Sequence, residues 1–292
     1  LAGVPVARKD FMKFQLARLK KLIRRFTLLP PVWKTIARIP QARNVIYRNK
    51  SGLFRKHPID RFYCIDTSGF VDVEAIYANT DLQQAINPYA GSQPSVIRTA
   101  LRALGAVSDY SFIDLGCGKG RVLAVASEFP FQEIYGVELS SRLAAKARSN
   151  AAAMAMRFPN RPHVTIAQTN AVAFTLPPGK LVLFNFHSFG AGIVAQVVRK
   201  LEAALEAGTS HIFFVYYNPV HADSFDASPA FQRYFAGNVP YDRSELGFGF
   251  AGDKDDAVVI WQSVQGAVLP QQPGADREIA VIEPLWLARI AD

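Results

Sequence analysis

Cysteine is scarce in this chain: Cys64 and Cys117 are the two among 292 residues, and Cys117 stands inside a glycine-rich turn. Two cysteines cannot build a disulfide framework, so this usage suits a reducing, cytoplasmic compartment. Five scattered histidines with no His/Cys cluster leave no metal-site spacing. Uninterrupted hydrophobic runs of spanning length are missing too. Residues 181–198 carry no formal charge but include Asn185, His187, Ser188, Gly190 and Gly192, and 207–222 include Gly208, Asn218 and Pro219. Both stretches read as buried strands running into loops rather than as membrane spans. What remains, half the residues hydrophobic and a fifth charged, is ordinary for a soluble enzyme with one sizeable core and some appendages.

Acidic residues are nearly absent from one end. Residues 1–61 hold 16 Lys/Arg against Asp10 and Asp60, a net of +14, while the remainder nets −5, giving +9 for the whole. Within that arm, residues 11–29 place Met12, Leu16, Leu19, Ile23 and Phe26 on one helical face, with Lys13, Lys20, Lys21, Arg24 and Arg25 on the rest and Pro30–Pro31 as the stop. Basic residues interrupt the apolar stretch, so it does not read as a signal peptide. A basic amphipathic helix can lie on an anionic membrane surface, here the inner membrane, or meet an acidic partner. It can equally be a solvated helix that caps the body. No aromatic-interleaved basic motif is present, so specific nucleic-acid binding is not favoured.

The most informative residues are Phe112-Ile113-Asp114-Leu115-Gly116-Cys117-Gly118-Lys119-Gly120-Arg121, with Glu138 eighteen residues beyond Gly120. The lead-in from Tyr110 reads as a buried strand, and Gly120 to Phe129 as the helix that follows. Glycine at alternate positions allows a sharp turn and a close ligand approach. An acidic side chain at the end of the second strand is placed to accept hydrogen bonds from a ribose diol. A dinucleotide site would show G-x-G-x-x-G facing a pyrophosphate. Here the third glycine comes one residue early, Arg121 stands where that pattern wants glycine, and Asp114 would repel phosphate but suit a ligand carrying an ammonium group.

These residues resemble the first motif of class I S-adenosylmethionine-dependent methyltransferases. The likeness extends over roughly 60–262 and is similar to a bacterial branch with Asp-Thr-Ser-Gly upstream (Asp66–Gly69) and Tyr-Tyr-Asn-Pro after the fifth strand (Tyr216–Pro219). The resemblance implies S-adenosyl-L-methionine as cofactor, with Asp114, Gly116, Cys117, Gly118 and Gly120 at its methionine end. It further implies Glu138 on the ribose hydroxyls and Leu139 on the adenine face. Asn170 matches the position that takes the adenine amine, and could equally cap the next helix. Asn185 and His187 follow the fourth strand, where the family has a polar-aromatic turn lining the transfer site. The proline usual in that turn is missing here. Asn185 could hold an acceptor nitrogen and His187 could take a proton, although a histidine in such a turn is commonly a packing residue. Tyr89 is a lid or substrate candidate, or an aromatic packed at the domain edge.

The expected fold is α/β, a Rossmann-like, mostly parallel methyltransferase sheet with a C-terminal antiparallel hairpin and a basic helical N-terminal arm. Strands are expected near 110–114, 133–138, 163–167, 181–186 and 211–217, with helices near 120–129, 140–157, 190–207 and 222–235. Residues 247–251 and 257–262 around 252–256 read as the hairpin. The domain reading is an arm and cap at 1–92, a cofactor-binding domain at 93–265 and a tail at 266–292. The function expected is methyl transfer to an unidentified acceptor, a protein lysine or a small molecule. The alternatives are a non-catalytic S-adenosylmethionine-binding sensor or scaffold, and a nicotinamide oxidoreductase.

Overall fold

The computed structural model describes residues 55–77, 85–249, 253–265, 268–279 and 281, all within one compact unit, Ser51–Ile282. The basic helix expected at 11–29 and the end of the tail lie outside the described residues.

Upstream of the sheet come a short helix α1 (Pro58–Tyr63), strand β1 (Phe70–Val71), helix α2 (Val73–Ile76) and strand β2 (Tyr89–Ala90), with β1 and β2 paired antiparallel. Helix α3 (Pro94–Ala103) then leads into β3 (Tyr110–Leu115), α4 (Arg121–Ala126), β4 (Glu133–Glu138), α5 (Ser141–Arg157), β5 (Val164–Gln168), β6 (Lys180–Phe186), α6 (Ala191–Glu206) and β7 (His211–Tyr217). The chain closes with α7 (Asp223–Asp226), β8 (Phe231–Pro240) and β9 (Asp255–Ser263).

These strands form a seven-stranded sheet in the order β5-β4-β3-β6-β7-β9-β8. β3 to β7 run parallel, and β9 inserts antiparallel between β7 and β8. Every residue of β3 and β7 is buried, as expected of central strands covered on both faces. One face packs Phe112, Phe184, Phe213 and Val258 against Ile97 and Leu101 of α3, Leu123 of α4 and Met154 of α5. The other packs Ile113, Leu183, Phe214 and Trp261 against Val194 and Leu201 of α6 and Phe225 of α7.

Two expectations need correction. The helix expected over 222–235 is only Asp223–Asp226, and from Phe231 the chain is strand β8. Phe231 and Tyr234 are buried in opposite core layers, across a bulge between Arg233 and Phe235, and this tertiary demand overrides the local helical reading. The hairpin is displaced accordingly. Its strands are β8 and β9, joined through 241–254, and Asp255 and Asp256 belong to the strand rather than to the turn. Among the described residues no helix is long and apolar enough to cross a membrane.

Candidate active site

The glycine-rich turn joins β3 to α4 at the carboxyl edge of the sheet, where open α/β folds bind ligands. Gly116 and Cys117 both donate backbone hydrogen bonds to the Val137 carbonyl, at 2.9 and 3.0 Å. Gly118 donates to Glu138 Oε2 at 2.9 Å, so the turn is stitched to the end of β4. Gly116 and Gly118 sit at φ 84° and 55°, and a Cβ would collide with Ser188 at the first and with the Tyr89 ring at the second. Glycine is therefore required at both positions on two counts.

Two carboxylates end the adjacent strands. Asp114 is 2% exposed, and its Oδ2 has no hydrogen-bond partner. Burial, and then the nearby Glu138, push its carboxyl well above the usual range. Glu138 is also raised by burial, opposed by hydrogen bonds from the backbone of Ser140 and Gly118. Its Oε1 accepts from Ser140 N at 2.8 Å and from the Tyr77 hydroxyl at 3.3 Å. An unpartnered buried carboxylate oxygen beside a second carboxylate is a costly arrangement that a cation would relieve. Leu139, next to Glu138, is half-buried, and burial keeps the Cys117 thiol from ionising. Asn170 is exposed, and its Oδ1 accepts from Val172 N at 2.8 Å, the capping arrangement that competes with the adenine role.

The upstream segment closes over this turn through Tyr89, a lid candidate from the sequence, and through residues the sequence reading did not assign to the site. Asp60, fully buried, accepts from the backbone N–H and hydroxyl of both Thr67 and Ser68. Arg121, 5% exposed, donates to Thr67 Oγ1 at 2.8 Å, to the Thr67 carbonyl at 3.1 Å and to the Ser92 carbonyl at 3.3 Å. Lys119 Nζ reaches the Ser68 carbonyl at 2.6 Å, and Asn150 bridges the Asp66 and Lys119 carbonyls. The Tyr89 hydroxyl donates to the Thr67 carbonyl at 2.5 Å while its ring lies on Gly118. The Asp-Thr-Ser-Gly segment was the available signal. Arg121 stood out only as a misfit to the dinucleotide pattern.

Beyond β6 the candidates diverge. Asn185, 1% exposed, donates to the Leu115 carbonyl at 3.4 Å and accepts from Ser188 N at 3.1 Å, tying the turn after β6 to the end of β3. His187 takes φ 36°, is 3% exposed, and has hydrogen-bond partners on neither ring nitrogen. Burial, then the His221 ring 5.5 Å away, lowers its pKa to about 3, so it is neutral and a weak base. The 85–90 segment docks on this turn: Asn87 Nδ2 donates to the His187 carbonyl at 2.7 Å, and Ile86 bridges Phe189. At the end of β7, Tyr217 and Tyr241 both donate to Asp256 Oδ2. Burial raises Asp256 to about 7, with the two tyrosine hydrogen bonds pulling the other way. Asp253, three residues before it, is likewise raised by burial, to about 6. Among the described residues no group of three or more His, Cys, Asp or Glu is placed to hold a metal.

Five parallel strands in this order, closed by an antiparallel pair with β9 inserted beside β7, distinguish the sheet from an all-parallel dinucleotide fold. The fold is that of the class I methyltransferases. No family model and no curated protein matches the chain. Solved structures similar to it include the 23S rRNA methyltransferase ErmE, at 15% identity over 62% of this chain and 72% of that one, with a TM-score of 0.40. TrmN from Thermus thermophilus aligns at 14% identity over 59% and 49% of the two chains, TM-score 0.42. Precorrin-6y C5,15-methyltransferase from Geobacter metallireducens GS-15 aligns at 17% identity over 59% and 88%, TM-score 0.40. In the methyltransferase fold of this chain, Asp114 and Glu138 occupy the carboxyl ends of the first two strands of the parallel sheet, with the glycine turn between them.

Proposed function

We propose that the protein is an S-adenosylmethionine-dependent methyltransferase. The observation that carries this reading is the buried carboxylate pair at the glycine turn, with Asp114 Oδ2 unpartnered. S-adenosylmethionine fits that donor set: it carries an ammonium and a sulfonium, a ribose diol, and no phosphate to be repelled. Asp114 would hold the ammonium end against the Gly116–Gly120 turn. Glu138 would accept from the ribose hydroxyls, in exchange for the hydrogen bond it now takes from Tyr77. Leu139 would lie on the adenine, and Asn170 retains a carbonyl lone pair for the adenine amine.

When bound, the cofactor supplies a methyl group already activated by its sulfonium charge. The chain's task is to hold an acceptor in line, and orientation of that kind is worth about 7–11 kcal/mol. Asn185 fixes the turn that forms one wall, and Tyr89 forms the roof over Gly118. His187 offers a neutral ring nitrogen to an acceptor rather than a base, since its pKa is about 3. An acceptor that must lose a proton would find Asp256, through Tyr217, the better placed titrating group on this edge. The acceptor we propose is a protein lysine or a small molecule.

Calorimetric titration with S-adenosylmethionine, S-adenosylhomocysteine and NAD tests the cofactor. Micromolar binding of the first two, abolished by Asp114→Ala and by Glu138→Ala, is the expected result. Preference for NAD would overturn it. The departure at Asn185–Phe189 favours a second reading, a non-catalytic sensor. Methyl transfer to any acceptor that vanishes in Glu138→Ala rejects that alternative.

A further inference from the structure

A second concave surface lies away from the carboxylate pair, on the outer edge of the sheet between α5 and strand β5. It is a groove of about 500 Å³, lined by Arg148, Met154, Phe158, Arg161, His163 and Ile166 among others. That volume suits a ligand unit of nucleotide size. Phe62, 56% exposed on α1, stacks on Phe158 with ring centroids 6.0 Å apart and planes 25° from parallel. The Arg161 guanidinium lies 4.1 Å from the centre of the Phe158 ring and 5.2 Å from that of Tyr63, and Arg157 lies 5.6 Å from Phe158. Arg148 and Arg157 are exposed, and among the described residues no carboxylate forms an ion pair with either, whereas Arg161 is held in place, donating to the Tyr63 hydroxyl at 2.8 Å and to Ser127 Oγ at 3.4 Å. The acidic neighbours are turned away or engaged. Glu133 accepts the Tyr135 hydroxyl on the opposite face of the sheet, Glu128 pairs with Arg98, and Asp66 pairs with Lys146.

We propose that this groove and its rim, where Phe62 and Arg157 lie against the Phe158 ring, form a docking surface for single-stranded nucleic acid, with phosphates on Arg148 and Arg157 and a base against the exposed Phe62 ring. Aromatic faces beside unpaired guanidinium groups are the combination that binds single strands without regard to sequence. A membrane would meet a convex apolar surface, whereas this one is concave and walled by arginine. The aromatic interleaving missing from any one stretch of sequence is assembled in space: Phe62 and Tyr63 come from α1, while Arg157, Phe158 and Arg161 come from the end of α5 and the loop after it. The inference concerns binding alone and does not depend on methyl transfer.

The test uses fluorescence anisotropy on the full chain with a labelled 12-nucleotide oligouridylate RNA, and anionic vesicles in parallel. Phe62→Ala combined with Arg157→Ala, both exposed positions, should weaken RNA binding about tenfold or more at fixed salt without lowering the Tm. Arg148→Ala alone should reduce the salt dependence by roughly one counterion. Photo-crosslinks from 4-thiouridine should map to Phe62 or Phe158. Unchanged affinity in both variants, crosslinks confined to residues 1–50, or variants that lose vesicle binding while RNA binding persists would each overturn the proposal.

Discussion

At the β3–β4 end of the site, the decisive side chains come from one stretch, 112–138, and meet through bonds within that stretch: Gly118 to Glu138, and Gly116 and Cys117 to Val137. At the β6–β9 end they come from residues 85–90, 185–189, 217, 241 and 256, joined by bonds such as Asn87 to His187 and Tyr217 to Asp256. The first end is a local device that a βαβ unit carries with it. The second exists only once the whole sheet and its upstream cover are in place. On the proposed function, the cofactor end can therefore be encoded almost independently of the acceptor end, with the upstream cap built on Asp60 and Arg121 as the proposed coupling between the two.

Removing the cap should separate the two ends most strongly. Asp60→Ala leaves the N–H and hydroxyl groups of Thr67 and Ser68 without their acceptor and Arg121 without a buried counter-charge nearby. Breaking such a buried charged network costs about 3–5 kcal/mol. Urea unfolding should show a loss of that size. If the loss is below about 1 kcal/mol, the cap is not part of the cooperative unit, and the coupling just described fails.

This division also explains what could be read in the sequence. The strands at 133–138 and 211–217 and the glycine turn were legible because apolar runs, glycine spacing and a following acid are all local signals. The roles of Asp60 and Arg121 were not, because nothing near either residue shows that Thr67 lies between them. Phe231–Phe235 was misread as helix because its strand character, as part of Phe231–Pro240, comes from pairing with Asp255–Ser263, a choice made across the 241–254 connection. Asn185 was legible as a polar residue at a strand end, while its bonds to Leu115 and Ser188 depend on β3 and β6 being neighbours.

A smaller effect, with opposite signs in two assays, sharpens the cofactor end. Asp114→Asn replaces a buried carboxyl whose Oδ2 has no partner and whose ionised form burial disfavours. Folding stability of the ligand-free protein should hold or rise, by up to about 1–2 kcal/mol, since no satisfied hydrogen bond on that oxygen is lost. Affinity for S-adenosylmethionine should nevertheless fall at least tenfold, about 1.4 kcal/mol. A variant that loses stability and affinity together would make Asp114 a structural residue, and the contrast between the two ends would lose its strongest member.

A last contrast separates the cap from the β7–β9 edge by pH. His57 caps α1 by accepting from Ile59 N at 3.2 Å, and burial, then Arg121, lowers its pKa from 6.5 to about 4. A depressed histidine contributes stability that is present above its unfolded pKa and is lost as pH falls from about 6.5 through 4. Asp256 behaves in the opposite sense. Its carboxyl is raised from 3.8 to about 7, so the folded state holds a proton the unfolded chain releases, and that stability is lost as pH rises from about 4 through 7. His57→Asn, which keeps a capping oxygen, should flatten the acid side of the stability profile and leave the neutral side alone. Asp256→Asn should flatten the fall in stability from pH 4 to 7 and leave the His57 contribution intact. Gln93 interacts with His57 and donates through its N–H to the Tyr217 hydroxyl that bonds Asp256, so additive effects on Tm in the double variant would show that this link carries no coupling. A coupled response would mean that the cap at His57 and the edge at Asp256 act as one element.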